Sequence, residues 1–431
     1  MSPEAIGAVG IGVLLVLMYM RMWTGAAMLF VGFWGIVAIM GFSVGMGVIG
    51  IVPFRAVAFY TFAAVPMFVL MAVIVSNTGV GADLYYTAYK WFGHLRGGLA
   101  TATVVACAGF AAITGTSTAA VVTMGKVALP EMKKYNYDEG LAAGSIAAGS
   151  TIGVLIPPSM AFILYGILTE TSIGKLFMAG IIPGITEAIF YIITIYLLCR
   201  FKPSMGPPGP KTGMKEKVIS LKDTWPVVAL FVLVIGGIYM GIFTPTEAGA
   251  IGAFGAIAIT FAYKRLKKDN FMAAVLETAQ LTAMMVFMVA GAFVFMQLMN
   301  LSKLPFALSN FITELPFSRY WILVAIIFVY IILGMFLHVI SVILVTVPIF
   351  FPVIIGLGFD PVWYGVIMVR VSELGLITPP VGMQVFILSG ITGTPIGTIF
   401  RGIIPFAIAD VLHIALLVAI PQLSLFIPNN M

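Results

Sequence analysis

A run of small polar residues interrupts an otherwise apolar stretch: Thr114, Gly115, Thr116, Ser117 and Thr118, in the segment ITGTSTAA. These side chains supply uncharged oxygen atoms, and a turn at the glycine would add main-chain carbonyls. Uncharged oxygen ligands suit weak, reversible binding of a monovalent cation. The run therefore predicts a hairpin tip that is suited to binding a monovalent cation. The alternative is that Ser and Thr bond to their own main chain, as they commonly do in membrane helices.

Two further segments place a pair of prolines inside an apolar stretch, at Gly149–Ser159 (GSTIGVLIPPS) and Ser372–Gly382 (SELGLITPPVG). Adjacent prolines remove two main-chain donors and force the preceding residue out of helical geometry. Main chain that unwinds inside a membrane is tolerated where it lines a cavity or is buried in protein, and its carbonyls can then bind a cation. The helix that restarts offers amide groups to an anion. Both segments predict broken helices, with a simple kink as the alternative.

The two proline segments belong to an internal repeat, in which the second copy follows the first at a constant offset without a gap. The matched positions are mostly Gly and Pro: Pro130, Asp138, Gly153, Pro157, Pro158, Gly180 and Pro183 recur as Pro352, Asp360, Gly375, Pro379, Pro380, Gly402 and Pro405. Gly and Pro interrupt helices rather than fill cores. Paired helix breaks in a membrane chain predict a binding site.

The composition indicates that the whole chain lies in a membrane. Of its 431 residues, 61% are hydrophobic and 9% are charged, and the mean hydropathy is +1.13. Spans of roughly 20 residues leave room for about ten crossings plus shorter pieces. We therefore expect an all-α, multi-pass membrane protein surrounded by membrane lipid. The net charge of +6 is spread over loops and forms no patch, so we expect no nucleic-acid partner.

The basic residues predict the topology. If the N-terminus is external and residues 98–129 and 321–356 form hairpins that enter and leave on one side, 16 Lys and Arg are cytoplasmic and four are external. The positive-inside rule expects this asymmetry. The segments after Pro130 and Pro352 then cross in opposite directions, so the two halves are inverted repeats. The polar stretch from Arg200 to Asp223 is predicted to be the cytoplasmic loop that joins them.

A second hairpin tip is predicted in the segment LGMFLHVIS, at Gly334, His338 and Ser341. It precedes the second break as the first tip precedes the first break, but it carries fewer hydroxyl groups. His338 is interpreted as a helix-contact or gating residue, with a ligand role as the alternative.

Two charged residues, Arg370 and Glu373, lie at membrane depth just before the second break, where charges are costly and usually functional. At a spacing of three they share a helix face, so one interpretation is a self-neutralising ion pair. The other is that Arg370 contacts a substrate carboxylate or sulfonate, which its planar guanidinium suits. Glu247, just after Pro245, is interpreted as a helix-start residue. Four other ionisable residues receive no role in the predicted site: Lys126, Glu187, Asp410 and His413.

Five segments together resemble the large membrane subunit (DctM-like) of tripartite ATP-independent periplasmic (TRAP) transporters, in the ion transporter superfamily: TGTSTAAVVTMGKVALPEM, STIGVLIPPS, GIFTPTEAGAIGA, GFDPVWYGVI and ELGLITPPVG. The resemblance covers essentially the whole chain. It implies a sodium-driven, elevator-type transporter built from inverted repeats, which imports an organic acid anion such as a dicarboxylate, keto acid, sugar acid or sulfonate. It also implies a location in a bacterial or archaeal cytoplasmic (inner) membrane. It implies two partners, a small four-helix membrane subunit (DctQ-like) and a soluble periplasmic substrate-binding protein (DctP-like).

The resemblance also implies particular site residues, with two or more sodium sites. The first sodium site is expected at Gly115, Ser117, Thr118, Ser150 and Gly153. The second is expected at Gly334, Ser341, Gly375 and Thr378. Substrate contacts are expected at Thr116, Ser117, Pro157, Ser159, Arg370 and Pro379. The chain departs from the family pattern at His338, where members often have an acidic residue, and at the first tip, where they often have a Ser-Gly-Ser-like sequence.

The expected mechanism moves two re-entrant hairpins and two broken helices as one rigid body, the transport part, against the remaining helices, the scaffold. The transport part is predicted at residues 98–175 and 321–393. The scaffold is predicted at residues 1–97, 176–320 and 394–431, the second of these including the polar linker.

Other functional classes fit the sequence less well. The motif GxxxxGK[ST] is absent, so any ATPase would be a separate chain. Gly115-Thr116-Ser117 matches a serine-nucleophile motif only in part, and the metalloprotease motif HExxH is absent. We therefore expect no enzyme. A channel would need a continuous pore, whereas matched breaks favour alternating access. A free-standing sodium/organic anion symporter, working without a binding protein, is the alternative to the tripartite system.

Overall fold

The computed structural model describes residues 1–314 and 316–431, so position 315, inside the predicted scaffold segment 176–320, lies outside the described residues. The described part of the chain contains helices and no strand. The first half has ten α-helices: α1 (Pro3–Tyr19), α2 (Thr24–Met40), α3 (Phe42–Val57), α4 (Ala64–Asn77), α5 (Val80–Phe92), α6 (Gly98–Thr114), α7 (Ser117–Lys134), α8 (Glu139–Thr151), α9 (Met160–Thr169) and α10 (Ile173–Phe201). The second half also has ten: α11 (Met214–Tyr239), α12 (Pro245–Ala262), α13 (Lys268–Ser302), α14 (Leu304–Glu314), α15 (Arg319–Phe336), α16 (Val339–Gly356), α17 (Pro361–Ile377), α18 (Met383–Thr392), α19 (Ile396–Ala419) and α20 (Gln422–Asn429).

The repeat extends well beyond the proline motifs. Helix α6 ends at Thr114 and α15 ends at Phe336, which are separated by the same offset as the two proline pairs. Helix α7 begins at Ser117 and α16 begins at Val339, again at this offset. The hairpins therefore occupy matched positions even though Ser117 and Val339 differ in chemistry. The predicted repeat is confirmed, together with the all-α membrane fold.

Both predicted hairpins are present. Helices α6 and α7 are joined through Gly115 and Thr116, and α15 and α16 are joined through Leu337 and His338. Gly115 has φ +59°, in the left-handed region that glycine adopts readily, which ends α6 and turns the chain back.

Both predicted helix breaks are present as well. Helix α8 is followed by a single 3₁₀ turn at Ile152–Val154, and α9 restarts at Met160, whereas α17 stops at Ile377 and α18 restarts at Met383. Both Pro–Pro peptide bonds are cis. The recurring aspartates are helix caps: Asp138 accepts a hydrogen bond from Leu141 N–H (2.9 Å), and Asp360 accepts one from Val362 N–H (2.8 Å).

Each hairpin packs against the broken helix of the other half, α7 against α18 and α16 against α9. Helix α19 crosses α8 so closely that a β-carbon on Gly402 would overlap the carbonyl oxygen of Gly140. Small residues allow helices in a membrane to approach in this way. We call the assembly of α6–α9 and α15–α18 the hairpin body.

The helices outside the hairpin body also pack across the halves, with α2 against α13 and α4 against α12. Helices α10 and α19, which the predicted division assigns to the scaffold, pack against α8 and α17 of the hairpin body. The hairpin body is therefore in contact with both of these helices. The division into moving parts itself stays a prediction.

The fold is consistent with a multi-pass membrane protein. Eight helical segments of the described chain are long and apolar enough to cross a membrane: 60–77, α10, α11, α12, α13, α15, α16 and α19. Large apolar side chains also lie on the outer surface, such as Phe254, which is 73% exposed, and Phe328, which is 62% exposed. Lipid tails are a suitable environment for such side chains.

The linker between the halves is less loop-like than predicted, because α11 already begins at Met214. Its irregular part is tied down by main-chain hydrogen bonds: Gly97 N–H donates to the Gly206 carbonyl (2.9 Å), and Gly209 N–H donates to the Gly93 carbonyl (2.8 Å). The linker therefore lies directly against the connection between α5 and α6.

The predicted helix-start role of Glu247 is confirmed by a capping box. Glu247 Oε2 accepts from Thr244 N–H (2.8 Å), and Thr244 Oγ1 accepts from Glu247 N–H (3.3 Å). These reciprocal bonds satisfy two main-chain donors that would otherwise lack partners at the start of α12.

Candidate functional site

A cavity of about 800 Å³ separates the two hairpin tips from helices α4 and α13. The first tip lines it with Thr114, Thr116 and Thr118, and the second tip lines it with His338 and Ser341. The two predicted tips therefore meet at a single cavity between the hairpin body and the scaffold.

The opposite wall of the cavity comes from the scaffold helices. This wall is mainly apolar, and its polar groups, Ser76, Asn77 and Glu277, lie at one end. The residues that form it are Val69, Ala72, Val73, Ser76, Asn77, Glu277, Leu281, Met284, Met285 and Met288. Mostly apolar walls with a few convergent polar groups are typical of small-molecule sites. The flexible Met side chains can adapt to the shape of a ligand.

Two charged side chains line the described part of this cavity, Lys126 from α7 and Glu277 from α13. Glu277 Oε2 accepts a hydrogen bond from Asn77 Nδ2 (3.2 Å), whereas Lys126 is exposed and forms no ion pair with the described residues. Lys126 lies two turns before Lys133 and Lys134, which the charge distribution places on the cytoplasmic side. The cavity therefore extends from the tips along α7 to Lys126, in the direction of the side that is predicted to be cytoplasmic.

The first tip rests directly on the first break. A β-carbon on Gly115 would overlap the carbonyl oxygen of Pro158, and a β-carbon on Gly153 would lie 3.3 Å from the carbonyl oxygen of Thr116. Only main chain fits between these segments. The structure thus brings together Gly115, Ser117 and Gly153 of the predicted first sodium site, with the carbonyl groups of the tip close to the break.

The other two residues of the predicted first sodium site are Ser150 and Thr118. The Ser150 hydroxyl is fully buried and donates to the Ala147 carbonyl (2.7 Å), so it is bonded within its own helix. Thr118 lines the cavity rather than the break. Their roles in sodium binding stay predictions.

The predicted second sodium site is only partly assembled. Gly334 and Gly375 touch, since a β-carbon on Gly375 would lie 2.6 Å from the α-carbon of Gly334. Ser341 Oγ instead lies 3.1 Å from Thr24 Oγ1 on scaffold helix α2. Thr378 Oγ1 donates to the carbonyl of Leu374, 2.6 Å away on its own helix. The structure therefore joins the two glycines and directs the hydroxyl groups elsewhere.

Arg370 lies at the centre of a buried ionic cluster. Its guanidinium pairs with Glu187 of α10 (Nη2 to Oε1, 3.2 Å) and with Asp410 of α19, and it donates to the Tyr191 hydroxyl (3.1 Å). The Thr151 hydroxyl of α8 lies 3.0 Å from Glu187 Oε1. All three ionised side chains of this cluster have 0% exposed surface. Arg370 therefore connects α17 to α10 and α19.

The predicted pairing of Arg370 with Glu373 is wrong. The two residues do share a helix, but the guanidinium of Arg370 is directed to acidic residues on neighbouring helices. Glu373 instead accepts a hydrogen bond from Ser117 Oγ of the first tip (3.1 Å). The predicted contact between Arg370 and substrate stays a prediction, and in this structure the guanidinium lies buried among protein carboxylates.

The other predicted substrate residues are distributed unevenly. Thr116 lines the cavity, whereas Ser117, Pro157 and Ser159 are buried behind it. Ser159 caps α9 by accepting from Phe162 N–H (3.4 Å). Pro379 is exposed at the second break, away from the described cavity lining.

Sequence reasoning missed several residues that the structure brings to the site. Lys126 lines the cavity, Glu187 and Asp410 bind Arg370, and His413 Nε2 lies 2.9 Å from Thr186 Oγ1 between α10 and α19. A signal was available, because acidic residues at membrane depth are rare and need partners. The sequence has one arginine, Arg370, and three acids, Glu187, Glu373 and Asp410, at this depth. Pairing the arginine with the acids would have predicted that α17 packs against α10 and α19.

The described residues contain no group of three or more His, Cys, Asp or Glu side chains that could hold a metal ion. A cation at the tips would therefore depend mainly on hydroxyl groups and main-chain carbonyls, with at most two such side chains. This donor set suits a hard monovalent cation better than a transition metal.

The fold defines a helical, multi-pass membrane protein with a cavity between two groups of helices. The structure is similar to the YdaH transporter of Alcanivorax borkumensis, with a TM-score of 0.64 over 90% of each chain at 14% sequence identity. At that identity the similarity shows the fold alone. The family follows from the sequence: residues 11–423 match the model described as "Tripartite ATP-independent periplasmic transporter, DctM component", and the chain belongs to this family.

Relatives within the family carry different substrate names. The chain is 37% identical to the "C4-dicarboxylate TRAP transporter large permease protein DctM" of Pseudomonas aeruginosa, over 86% of each chain. It is 34% identical to the "Ectoine TRAP transporter large permease protein TeaC" of Halomonas elongata, over 84% of this chain and 85% of that one. It is 32% identical to the "Isethionate TRAP transporter permease protein DctMQ" of Oleidesulfovibrio alaskensis, over 88% of this chain and 58% of that one. The predicted family is confirmed, and the chain is a large permease subunit of a TRAP transporter.

Proposed function

We propose that the chain is the membrane permease of a sodium-coupled, binding-protein-dependent secondary transporter that imports an organic acid anion. The observation that carries the proposal is the single cavity lined by both hairpin tips, at the boundary between the hairpin body and the scaffold. The relatives named for C4-dicarboxylates, ectoine and isethionate support small organic solutes with carboxylate or sulfonate groups. Lys126 supplies a positive charge in the cavity for such an anion.

Sodium coupling is supported by the contact between the first tip and the first break. Gly115 lies against the Pro158 carbonyl and Gly153 lies against the Thr116 carbonyl, so main-chain oxygen atoms of both the tip and the break lie at this contact, where a small cation could bind. A cation there would hold the tip in one position and thereby set the position of Thr116 in the cavity wall. Sodium strengthens substrate binding only if it stabilises the position of the tip to which the substrate binds. This difference in free energy between the two positions of the tip is the basis of coupling.

The elevator mechanism is supported by how the body and the scaffold meet. The hairpin body is built from both halves and carries both tips, whereas the facing wall comes from α4 and α13. The cavity extends towards the predicted cytoplasmic side at Lys126 and Glu277. Displacing the body as a unit along the scaffold would open the same tips to the other side.

Two partners complete the proposed system, a small four-helix membrane subunit (DctQ-like) and a soluble periplasmic binding protein (DctP-like). The relative named DctMQ is longer than this chain, which spans 58% of its length. A fused permease of that kind supports a separate small subunit as the partner of the present chain.

Uptake into proteoliposomes tests the transport proposal. The chain is reconstituted with the small subunit, and labelled C4-dicarboxylate, keto acid, sugar acid and isethionate are offered with the binding protein, under an inward sodium or potassium gradient. We expect uptake of one acid class only with sodium and binding protein together. Uptake with sodium but without binding protein would support the free-standing symporter, and equal uptake with potassium would refute sodium coupling.

A cysteine cross-link tests the elevator mechanism. Ser341 on the second tip and Thr24 on scaffold helix α2 lie with their hydroxyl oxygens 3.1 Å apart, so Thr24→Cys with Ser341→Cys should form a disulfide across the boundary. We expect oxidation to abolish uptake and a reductant to restore it. The control pair is Thr169→Cys with Thr171→Cys, whose hydroxyls are 2.8 Å apart within the hairpin body. Full uptake by the oxidised Thr24/Ser341 variant would refute relative motion at this boundary.

A further inference from the structure

The buried ionic cluster has more negative than positive groups. Arg370, Glu187, Asp410 and Glu373, which is one turn after Arg370 on α17, all have 0% exposed surface, so this buried region holds one guanidinium and three carboxyl groups. Among the described residues, the ion pairs of Arg370 go to Glu187 and Asp410, and Glu373 forms none. Burying a carboxylate without a compensating cation is costly in free energy. A further cation near Glu373 would remove that cost.

The surroundings of Glu373 show where this cation would lie. Glu373 Oε1 accepts a hydrogen bond from Ser117 Oγ (3.1 Å), while Glu373 Oε2 is buried and has no hydrogen-bond partner in the described part of the chain. Ser117 begins α7 directly after the tip, and Gly153 of the first break packs against its main chain. The carboxylate of the second half thus reaches the first tip of the other half.

The atoms around this point form a plausible donor set for sodium. Oxygen atoms 3.1 Å apart can contact one cation, since oxygen–cation distances are about 2.3–2.6 Å for a cation of the size of calcium. Ser117 offers a hydroxyl, the tip offers carbonyls, and Glu373 offers a free carboxylate oxygen. A single negative charge balances a single sodium ion.

We propose that Glu373 is the charged ligand of the sodium ion at the first hairpin tip, so that both halves of the repeat contribute to one site. The inference rests on the proposed sodium coupling and adds the residue that carries the charge. The matched position in the first copy of the repeat is Thr151, whose hydroxyl contacts Glu187 and Tyr191. The charge is therefore present at one of the two breaks only, and the two sodium sites should differ in affinity.

Direct sodium binding tests this assignment without transport. The purified full chain in detergent binds ²²Na⁺ in a scintillation-proximity assay, with unlabelled NaCl as competitor and choline chloride holding the ionic strength constant. We expect Glu373→Gln, which keeps the shape and removes the charge, to weaken the tighter site at least tenfold. We expect Ser117→Ala to weaken the same site. The matched control is Glu216→Gln, which neutralises an exposed carboxyl at the start of α11, outside the cavity lining, and should change sodium binding by less than twofold.

The possible outcomes distinguish the proposed sodium coupling from the proposed role of Glu373. If the wild-type chain binds no ²²Na⁺ that NaCl displaces better than KCl, both the sodium coupling and the role of Glu373 are refuted. If the wild type binds sodium and Glu373→Gln binds it equally well, the role of Glu373 is refuted and sodium coupling stands. If Glu373→Gln does not fold, Ser117→Ala decides, because it removes a hydroxyl ligand and leaves the carboxylate in place. Unchanged affinity in a folded Ser117→Ala chain would then overturn the site.

Discussion

Replacing Arg370 with Gln distinguishes a structural role from a substrate contact. The guanidinium is fully buried and joins three helices through Glu187 on α10, Asp410 on α19 and Tyr191. Neutralising it leaves two buried carboxylates without a cation. We therefore expect a large loss of stability, together with a loss of uptake that follows from it.

The size of the loss can be bounded from the contacts. Removing one partner of a buried ion pair costs about 3–5 kcal/mol, because the remaining charge stays buried and unpaired. The lost hydrogen bond to Tyr191 adds about 1 kcal/mol. Since whole domains are stable by roughly 5–15 kcal/mol, this variant should unfold at a much lower temperature than the wild type.

Fluorescence-detected size-exclusion chromatography after heating measures the unfolding temperature in detergent. Arg370→Lys keeps the charge but loses the planar fork, so it should fall between the wild type and Arg370→Gln. The combined variant Arg370→Met, Glu187→Gln, Asp410→Asn removes all three charges and should recover much of the lost stability, because neutral or apolar replacements of buried ionic groups are often well tolerated.

A different result would refute this reasoning. If the free energy of unfolding of Arg370→Gln lies within about 1 kcal/mol of the wild-type value, the cluster does not stabilise the fold as described. If it is also stable but the KM for the organic acid rises at least tenfold, Arg370 contacts substrate, and the alternative from the sequence is correct. Measuring stability and KM on the same preparations separates these cases.

Three further variants test particular contacts. Gly115→Ala, at φ +59° with a main-chain carbonyl of the first break in the way, should reduce uptake at least tenfold, whereas Gly390→Ala, with open space around it, should leave uptake unchanged. Gly402→Ala should lower the unfolding temperature by several degrees because its β-carbon overlaps the main chain of α8, whereas Gly397→Ala on the same helix should not. Lys126→Gln should raise the KM for an anionic substrate several-fold, with stability unchanged.

The breaks and hairpins could be predicted because they depend on local chemistry. Proline pairs and glycines stop helices wherever they occur, and their recurrence at a constant offset located both breaks. The capping aspartates at 138 and 360 belong to the same local signal. The second hairpin was harder to predict, since Val339 stands where the first has Ser117.

The partners of Arg370 could not be predicted from spacing. A separation of three places Arg370 and Glu373 on one side of α17, but it does not say which neighbouring helix each side chain faces. That depends on how α10 and α19 pack against α17 in the folded chain, which spacing along the sequence does not give. Glu187 and Asp410 each lie about one turn after the proline of the repeated Gly-Ile-Ile-Pro motif. The position of the motif was thus a clue to the position of the acids.

The hydrogen-bonded linker has a mechanical consequence. The chain passes from α5 to α6 through residues 93–97 and from α10 to α11 through residues 202–213, and main-chain hydrogen bonds at Gly93 and Gly97 fasten these two connections side by side. Helices α5 and α11 pack against each other, and α5 also packs against α6 and α7 of the hairpin body. Because the two connections are bonded to each other, a displacement of α6 at this end would be transmitted through the linker to α10 and α11.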